Sequence, residues 1–166
     1  MSAGGVHVVL EVNGDKRALV VEPHATLLRV LRDGLGLNGV LAGCEAGDCG
    51  ACAVLLDGRA VPSCVVLAAS AEEARIETIE GLAHGWELHP IQQAFVDHHG
   101  LQCGFCTPGA ILAAKALLDE NPAPDEQAVR EALSGNLCRC GSYPKMVRSV
   151  LAAARAMAGG AEPASP

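Results

Sequence analysis

Alternating apolar residues at the start of the chain predict a β-hairpin. Apolar side chains occupy every second position along Val6–Val12, which is the period of a strand with one buried face. Asn13-Gly14 follows directly and is a strong signal for a two-residue turn. Leu19-Val20-Val21 then supplies the apolar residues of a return strand.

A second hairpin and a short helix complete the pattern of the first half. Thr26 stands before apolar residues at helical spacing, which are Leu27, Val30, Leu31 and Leu35. Asp57-Gly58 separates the apolar segments 53–56 and 60–61, and residues 75–79 read as a last strand. Two hairpins, one helix and a glycine-rich loop between them predict a small sheet of the β-grasp type.

After Gly81 the spacing of apolar residues changes to that of helices, and four helical segments follow. Pro90 opens the first, and Asp125 is placed to cap the third, which Gly135-Asn136 ends. Thr107 and Ser142 are placed to cap the second and the fourth. In an up-down-up-down bundle the first and third connections lie at the same end. We therefore predict an α+β protein with a C-terminal four-helix bundle.

Composition and charge exclude several classes of function. The chain has 166 residues, is 50% hydrophobic and carries a net charge of -7, which argues against a nucleic-acid-binding surface. No apolar run reaches the roughly 20 residues of a membrane span. The first residues show no export signal, so we expect a cytoplasmic location. Residues 159–166 are predicted to form a disordered tail.

Eight cysteines fall into two groups with different spacings. The first cysteine group has four residues and then two between its first three members, which is the plant-type pattern of a [2Fe-2S] loop. It consists of Cys44, Cys49, Cys52 and Cys64. The second cysteine group consists of two close pairs, Cys103 with Cys106 and Cys138 with Cys140. The helical topology above brings these two pairs to one place.

Glycines in the first loop favour an iron–sulfur cluster. Gly43, Gly47 and Gly50 let the backbone approach the cluster and adopt unusual dihedral angles. Structural zinc is the main alternative, because pairs of cysteines two residues apart are common zinc ligands. Zinc is the weaker interpretation for the first group and a close rival for the second. Four disulfides are arithmetically possible, but a chain without an export signal disfavours them.

The residues supply no convincing set of groups for making or breaking bonds. The six histidines are scattered, and no nucleophile elbow, phosphate loop or dinucleotide fingerprint is present. The chain is therefore interpreted as an electron carrier. A free-standing two-cluster ferredoxin, a subunit of a larger enzyme and a zinc-stapled interaction module all remain open on these grounds.

Three motifs resemble the small iron–sulfur subunit of the molybdenum hydroxylases, the family of xanthine dehydrogenase, aldehyde oxidoreductase and carbon monoxide dehydrogenase. The similarity runs from about Val6 to Leu151. Its strongest segments are Gly43–Cys52, Gln102–Gly109 and Gly135–Cys140. The resemblance implies a ferredoxin-like domain over residues 1–80 and a helical domain over residues 81–158. It also implies that all eight cysteines bind two [2Fe-2S] clusters.

The resemblance further implies partners and a direction for the electrons. A large subunit would hold molybdopterin, as its cytosine dinucleotide, and a medium subunit would hold FAD. The cluster of the second cysteine group would lie next to the pterin, and Gln102 and Cys140 would face it. Electrons would pass one at a time from molybdopterin through both clusters to the flavin or another acceptor. The chain would then be part of an oxidoreductase without a substrate-converting site of its own.

Overall fold

The first half of the chain forms a five-stranded mixed sheet with the strand order β2-β1-β5-β3-β4. The structure is a computed structural model and describes residues 4–159. Residues 160–166, which include nearly all of the expected disordered tail, lie outside it. β1 pairs with β2 antiparallel and with β5 parallel, and β3 is antiparallel to β4 and β5. The strands are β1 (Val6–Val12), β2 (Asp15–Val21), β3 (Ala53–Leu56), β4 (Arg59–Pro62) and β5 (Arg75–Glu77).

Both expected hairpin turns are present. Asn13 and Gly14 have φ angles of 52° and 86°, and Asp57 and Gly58 have 49° and 80°. Positive φ at both central residues is the signature of the type I′ turn, whose twist matches the strands it joins. The alternation in β1 also holds, because its residues 8, 10 and 12 are buried on one face.

The last strand ends two residues earlier than its apolar pattern suggests. β5 stops at Glu77, and the chain turns into a short 3-10 helix over Ile79–Gly81. The backbone N–H of Thr78 donates to the Asn13 side chain at 2.8 Å, and it is therefore not available to extend the strand ladder. A side chain in the turn between β1 and β2 thus ends β5 at Glu77.

The helix of the first half begins where the sequence predicts. Thr26 caps it, with its hydroxyl accepting from the N–H of Arg29. α1 (Leu27–Arg29) continues as a π-helical turn over Val30–Gly34. Its apolar residues pack on the sheet in one core. The buried members of that core include Val8, Leu10, Leu27, Leu28, Leu31, Val54 and Ile76.

Four helices follow in the second half, as the change of period predicts. α2 is capped by the His89 side chain, and α4 by the Asp125 carboxylate, which accepts from Ala128 N–H at 2.8 Å. α4 ends three residues before Gly135, at Ala132. The helices are α2 (Pro90–Asp97), α3 (Thr107–Glu120), α4 (Glu126–Ala132) and α5 (Tyr143–Met157). The mixed composition of sheet and helices is confirmed, and a four-helix bundle stays a prediction.

Two expected helix caps are wrong. α3 already includes Thr107, and the residue at its N-cap position is Cys106. Ser142 does stand at the N-cap of α5, but its side chain forms no capping hydrogen bond. In both helices a proline follows in the first turn and removes one N–H that a cap would serve. The hydroxyls of Thr107 and Ser142 therefore do not cap their helices, as the sequence suggests they would.

The two halves share packing surfaces. α3 lies against β3, and Leu55 of β3 belongs to the same apolar core as the residues of α2, α3 and α5. Phe95 and Ile91 are fully buried in that core. None of the helices in the part of the chain that the structure describes is long and apolar enough to cross a membrane.

Candidate metal centres

The first cysteine group is gathered by a loop and a turn. Cys44, Cys49 and Cys52 lie between the helical turn that ends at Gly34 and β3, and Cys64 lies in a 3-10 turn after β4. The thiols of Cys44 and Cys49 interact directly, and so do those of Cys52 and Cys64. Cys44 also lies close enough to Cys64 to interact with it electrostatically. Four thiols spread over 21 positions of sequence are thus brought close together.

Backbone N–H groups point at the sulfurs of this first group. Ala46 and Cys49 each place an N–H 3.4 Å from the Cys44 sulfur, and Cys44 places one 3.4 Å from the Cys49 sulfur. These donors lower the pKa of Cys44 to about 6, with the Ala46 N–H as the largest cause. Burial raises the pKa of Cys64 to about 11. Binding a cation to all four thiolates would offset the cost of ionising the buried thiol.

Each of the three glycines singled out from the sequence has a structural reason. A Cβ at Gly43 would lie 2.8 Å from the Cys49 sulfur. Gly47 and Gly50 have φ angles of 86° and 69°, a region that other residues rarely adopt. The loop can therefore wrap closely around a group held by the sulfurs.

The second cysteine group is gathered by two connections between helices. Cys103 and Cys106 lie between α2 and α3, and Cys138 and Cys140 lie between α4 and α5. The thiol of Cys103 interacts with that of Cys140, and the thiol of Cys106 interacts with that of Cys138. The structure therefore brings together the two pairs, as the helix order predicts.

In the second group, as in the first, a backbone donor lowers the pKa of one thiol and burial raises the pKa of another. The backbone N–H of Phe105 lowers the pKa of the exposed Cys103. Burial, assisted by Cys138, raises the pKa of Cys106 to about 12. The loop is held from inside by Tyr143, whose phenolic oxygen accepts from the Cys138 N–H at 2.8 Å. This tyrosine was not among the residues singled out as functional.

The two cysteine groups meet through their backbones. The N–H of Leu137 donates to the carbonyl of Cys49 at 2.9 Å, and the Asn136 side chain donates to the carbonyl of Gly50 at 3.1 Å. Leu137 directly precedes Cys138. We call this contact, formed by residues 49–50, 109 and 135–137, the seam. No local signal in the sequence identifies it, because its two sides are 86 positions apart.

The seam is tight enough to require glycine on both sides. A Cβ at Gly50 would lie 2.3 Å from the carbonyl oxygen of Gly135, and a Cβ at Gly109 would lie 2.2 Å from that of Gly50. Real side chains do not approach backbone atoms so closely. Phe105 adds a third contact, because its ring lies 3.6 Å from the position of a Cβ at Gly43.

The donor set fits two iron–sulfur clusters. Each group offers four thiols, the number that a [2Fe-2S] cluster takes. Among residues 4–159, no three or more His, Cys, Asp or Glu side chains converge as the ligands of one metal ion would. A two-iron cluster holds its thiolates in two pairs, so convergence on one point is not required of them. The buried hydroxyls of Thr107 and Ser142, which lack partners, lie beside the second group and suit sulfur acceptors.

Gln102 lies on the surface beside the second group. Its residue is exposed, whereas Cys140 is half-buried. Exposed apolar side chains surround this region, with Phe105 at 48% and Leu137 at 57% exposure. The surface next to the second group is thus open to a partner. The first group has a different flank, where Arg29 binds Glu45 through two hydrogen bonds of 2.8 and 3.1 Å.

Comparisons with known proteins agree with this division of the cysteines. The model of a 2Fe-2S iron-sulfur cluster binding domain matches residues 10–83, and that of a [2Fe-2S] binding domain matches residues 78–151. The nicotine 6-hydroxylase small subunit of Paenarthrobacter nicotinovorans is 49% identical, over 88% of both chains. The nicotinate dehydrogenase small FeS subunit of Eubacterium barkeri is 46% identical, over 87% of this chain and 92% of its own.

A solved structure shows that the likeness extends to the fold. The crystal structure of quinoline 2-oxidoreductase from Pseudomonas putida 86 contains a chain with a TM-score of 0.90 and 44% sequence identity. The match covers 95% of this chain and 98% of that one. The sheet, the helices and the connections that carry the cysteines are therefore shared along nearly the whole length.

Proposed function

Because the chain belongs to the small iron–sulfur subunits of the molybdenum hydroxylases, we propose that electrons enter it at the second cysteine group and leave at the first. The family makes the chain an electron-transfer subunit of a multi-subunit oxidoreductase, with no substrate-converting site of its own. The subunit names of the relatives favour this role over that of a free-standing ferredoxin. The route within the chain is the part that we propose.

Each cysteine group holds one [2Fe-2S] cluster in this proposal. Cys44, Cys49, Cys52 and Cys64 are the ligands of one, and the two pairs of the second group are the ligands of the other. When bound, each cluster accepts and releases one electron at a time. The chain's residues supply the thiolates, direct N–H groups at them and keep the two sites at a fixed separation. Residues 1–80 form the β-grasp domain of the first site, and residues 81–158 form the four-helix domain of the second.

The seam is the observation that carries the proposed route. A single hydrogen bond of 2.9 Å connects the carbonyl of Cys49 to the N–H of Leu137. Cys49 is a ligand on one side, and the residue after Leu137 is a ligand on the other. With both clusters bound, two short backbone segments and one hydrogen bond would offer the electron a path between the sites. No bond is made or broken in this step.

Changing Gly109 to alanine is expected to slow electron transfer between the two clusters several-fold. The new Cβ would lie 2.2 Å from the Gly50 carbonyl oxygen, so the two backbones must separate. Alanine favours the helix that contains this position, and the effect therefore does not come from helix propensity. The rate of electron equilibration after rapid reduction of the assembled complex measures it, together with the magnetic interaction between the two reduced clusters.

Gly135→Ala is the matched control for this variant. Gly135 lies in the same seam, has no positive φ angle, and a Cβ there would meet nothing within 4 Å. The control should keep both the rate and the magnetic interaction of the unmodified chain. Equal behaviour of the two variants, with iron content unchanged, would show that the seam does not set the route.

The proposed partners follow from the family and from the exposed surface of the second group. A large subunit binds molybdopterin as its cytosine dinucleotide, and Gln102 and Cys140 face the pterin. Gln102 offers an amide donor and an acceptor, and a ligand thiolate of Cys140 can accept a further hydrogen bond. A medium subunit with FAD receives the electrons from the first group. We place the complex in the cytoplasm, where reducing conditions keep eight cysteines available as thiolates.

Replacing Gln102 by leucine is expected to slow the reduction of the clusters by substrate and to leave their number unchanged. The leucine side chain has a similar size but cannot hydrogen-bond the pterin edge. Stopped-flow reduction of the assembled complex measures the rate. Gln127→Leu is the control, because Gln127 is also exposed and its side chain bonds Glu131 on its own helix. Unchanged kinetics in Gln102→Leu would remove this residue from the pterin site.

A further inference from the structure

Two buried hydroxyls in this chain lack hydrogen-bond partners. Among the described residues, Thr107 Oγ1 and Ser142 Oγ are the buried side-chain nitrogen or oxygen atoms without one. Thr107 is 8% exposed and Ser142 is 2% exposed. A buried hydroxyl without a partner destabilises the fold, and most buried polar side-chain atoms in native proteins have a hydrogen-bond partner. The pair therefore indicates acceptors that belong to a bound group.

Both hydroxyls lie beside the second cysteine group. Thr107 follows Cys106 and begins α3, and Ser142 stands two residues after Cys140 at the N-cap of α5. Neither side chain caps its own helix. The backbone N–H and the hydroxyl of Ser142 both lie near the Cys138 sulfur, although the hydroxyl forms no hydrogen bond of ordinary geometry with it. Two helices thus begin with a buried hydroxyl that adjoins the cysteines of the second group in sequence.

In contrast, the buried hydroxyl beside the first cysteine group has a hydrogen-bond partner. Ser63 is fully buried and directly precedes Cys64. Its hydroxyl donates to the Cys52 carbonyl at 2.7 Å, so it has no donor to spare for sulfur. Hydroxyl donors left without partners are therefore associated with the second group in particular.

We propose that the hydroxyls of Thr107 and Ser142 donate hydrogen bonds to sulfur atoms of the cluster held by the second cysteine group, and that they raise its reduction potential. This inference rests on the proposed function, in which that group holds a cluster. Reduction adds one electron and one negative charge to the cluster. Donors directed at the sulfurs stabilise the reduced form more than the oxidised form. These residues would then make the second cluster a better acceptor for electrons from the partner subunit.

Removing either hydroxyl is expected to shift the midpoint potential of the second cluster to a more negative value. The variants are Ser142→Ala and Thr107→Val, which retain most of the side-chain volume, and their combination should shift the potential further. A redox titration of the assembled complex, followed by the paramagnetic signal of each cluster, measures both potentials separately. The potential of the first cluster and the iron content should not change. Ser142→Thr and Thr107→Ser, which keep a hydroxyl, should retain most of the original potential.

Ser149→Ala is the matched control. Ser149 is fully buried in the same helix as Ser142, and its hydroxyl donates to the Lys145 carbonyl at 2.9 Å. Its loss should leave both potentials unchanged. The proposal is overturned if neither Ser142→Ala nor Thr107→Val moves the second potential, or if the control moves it equally. Iron analysis of the unmodified complex separates this result from a failure of the proposed function, because a second group without a cluster would give half the iron and one signal.

Discussion

Replacing Cys49 by serine is expected to remove one cluster of the assembled protein and to leave the other. The unmodified chain should contain about four irons and about four acid-labile sulfides, since each [2Fe-2S] site takes four cysteine ligands. The variant should contain about two of each. The reason is that the Cys49 thiol interacts with that of Cys44 in the first group, whereas the second group is assembled by connections between helices. Metal and sulfide analysis measures the change, and the reduced variant should keep one of two paramagnetic signals.

Because the seam connects the two sites, this variant tests whether the second cluster forms independently of the first. The Cys49 carbonyl, which accepts the hydrogen bond from Leu137, is not altered by the substitution. The second site therefore keeps its backbone contact with the first loop. Loss of both clusters in a variant whose circular dichroism still shows a folded chain would mean that the two sites are not independent.

Replacing Cys138 by serine is expected to have the larger effect on assembly. The second group joins the connection between α2 and α3 to the connection between α4 and α5. Removing a ligand should therefore free two connections at once, and the binding free energy of a metal centre contributes directly to folding. We expect loss of the second cluster, a lower yield of assembled complex and a fall in the thermal unfolding midpoint larger than that of Cys49→Ser.

The comparison of these two variants isolates the contribution of the helical site. Both substitutions exchange one sulfur for one oxygen, and both residues are partly buried. Equal unfolding midpoints would contradict the idea that the second cluster replaces part of the apolar core. A normal second signal in Cys138→Ser would instead remove this residue from the ligand set.

Local patterns in the sequence were sufficient for most of the elements. Turn chemistry at Asn13-Gly14 and Asp57-Gly58 identified both hairpins, because those dipeptides tolerate the positive φ angles that the turns require. The start of the first helix near Thr26 and the cap at Asp125 were also correct. One error came where a distant contact competes with a local preference, because Thr78 donates to Asn13 and ends a strand early. The other errors are the caps at Thr107 and Ser142, whose hydroxyls make no capping hydrogen bond in helices that have a proline in the first turn.

The cysteine spacing by itself determined that the chain has two groups of four thiols suited to metal centres, because ligand type and number are properties of the residues. Only the tertiary structure decided how the groups are related. The seam depends on backbones 86 positions apart that approach within hydrogen-bonding distance, and on glycines whose missing side chains permit it. The orphaned hydroxyls likewise appear only when helices α3 and α5 bury them. Spacing along a chain specifies which atoms are available, whereas packing between distant segments sets their separation, their burial and their hydrogen-bond partners.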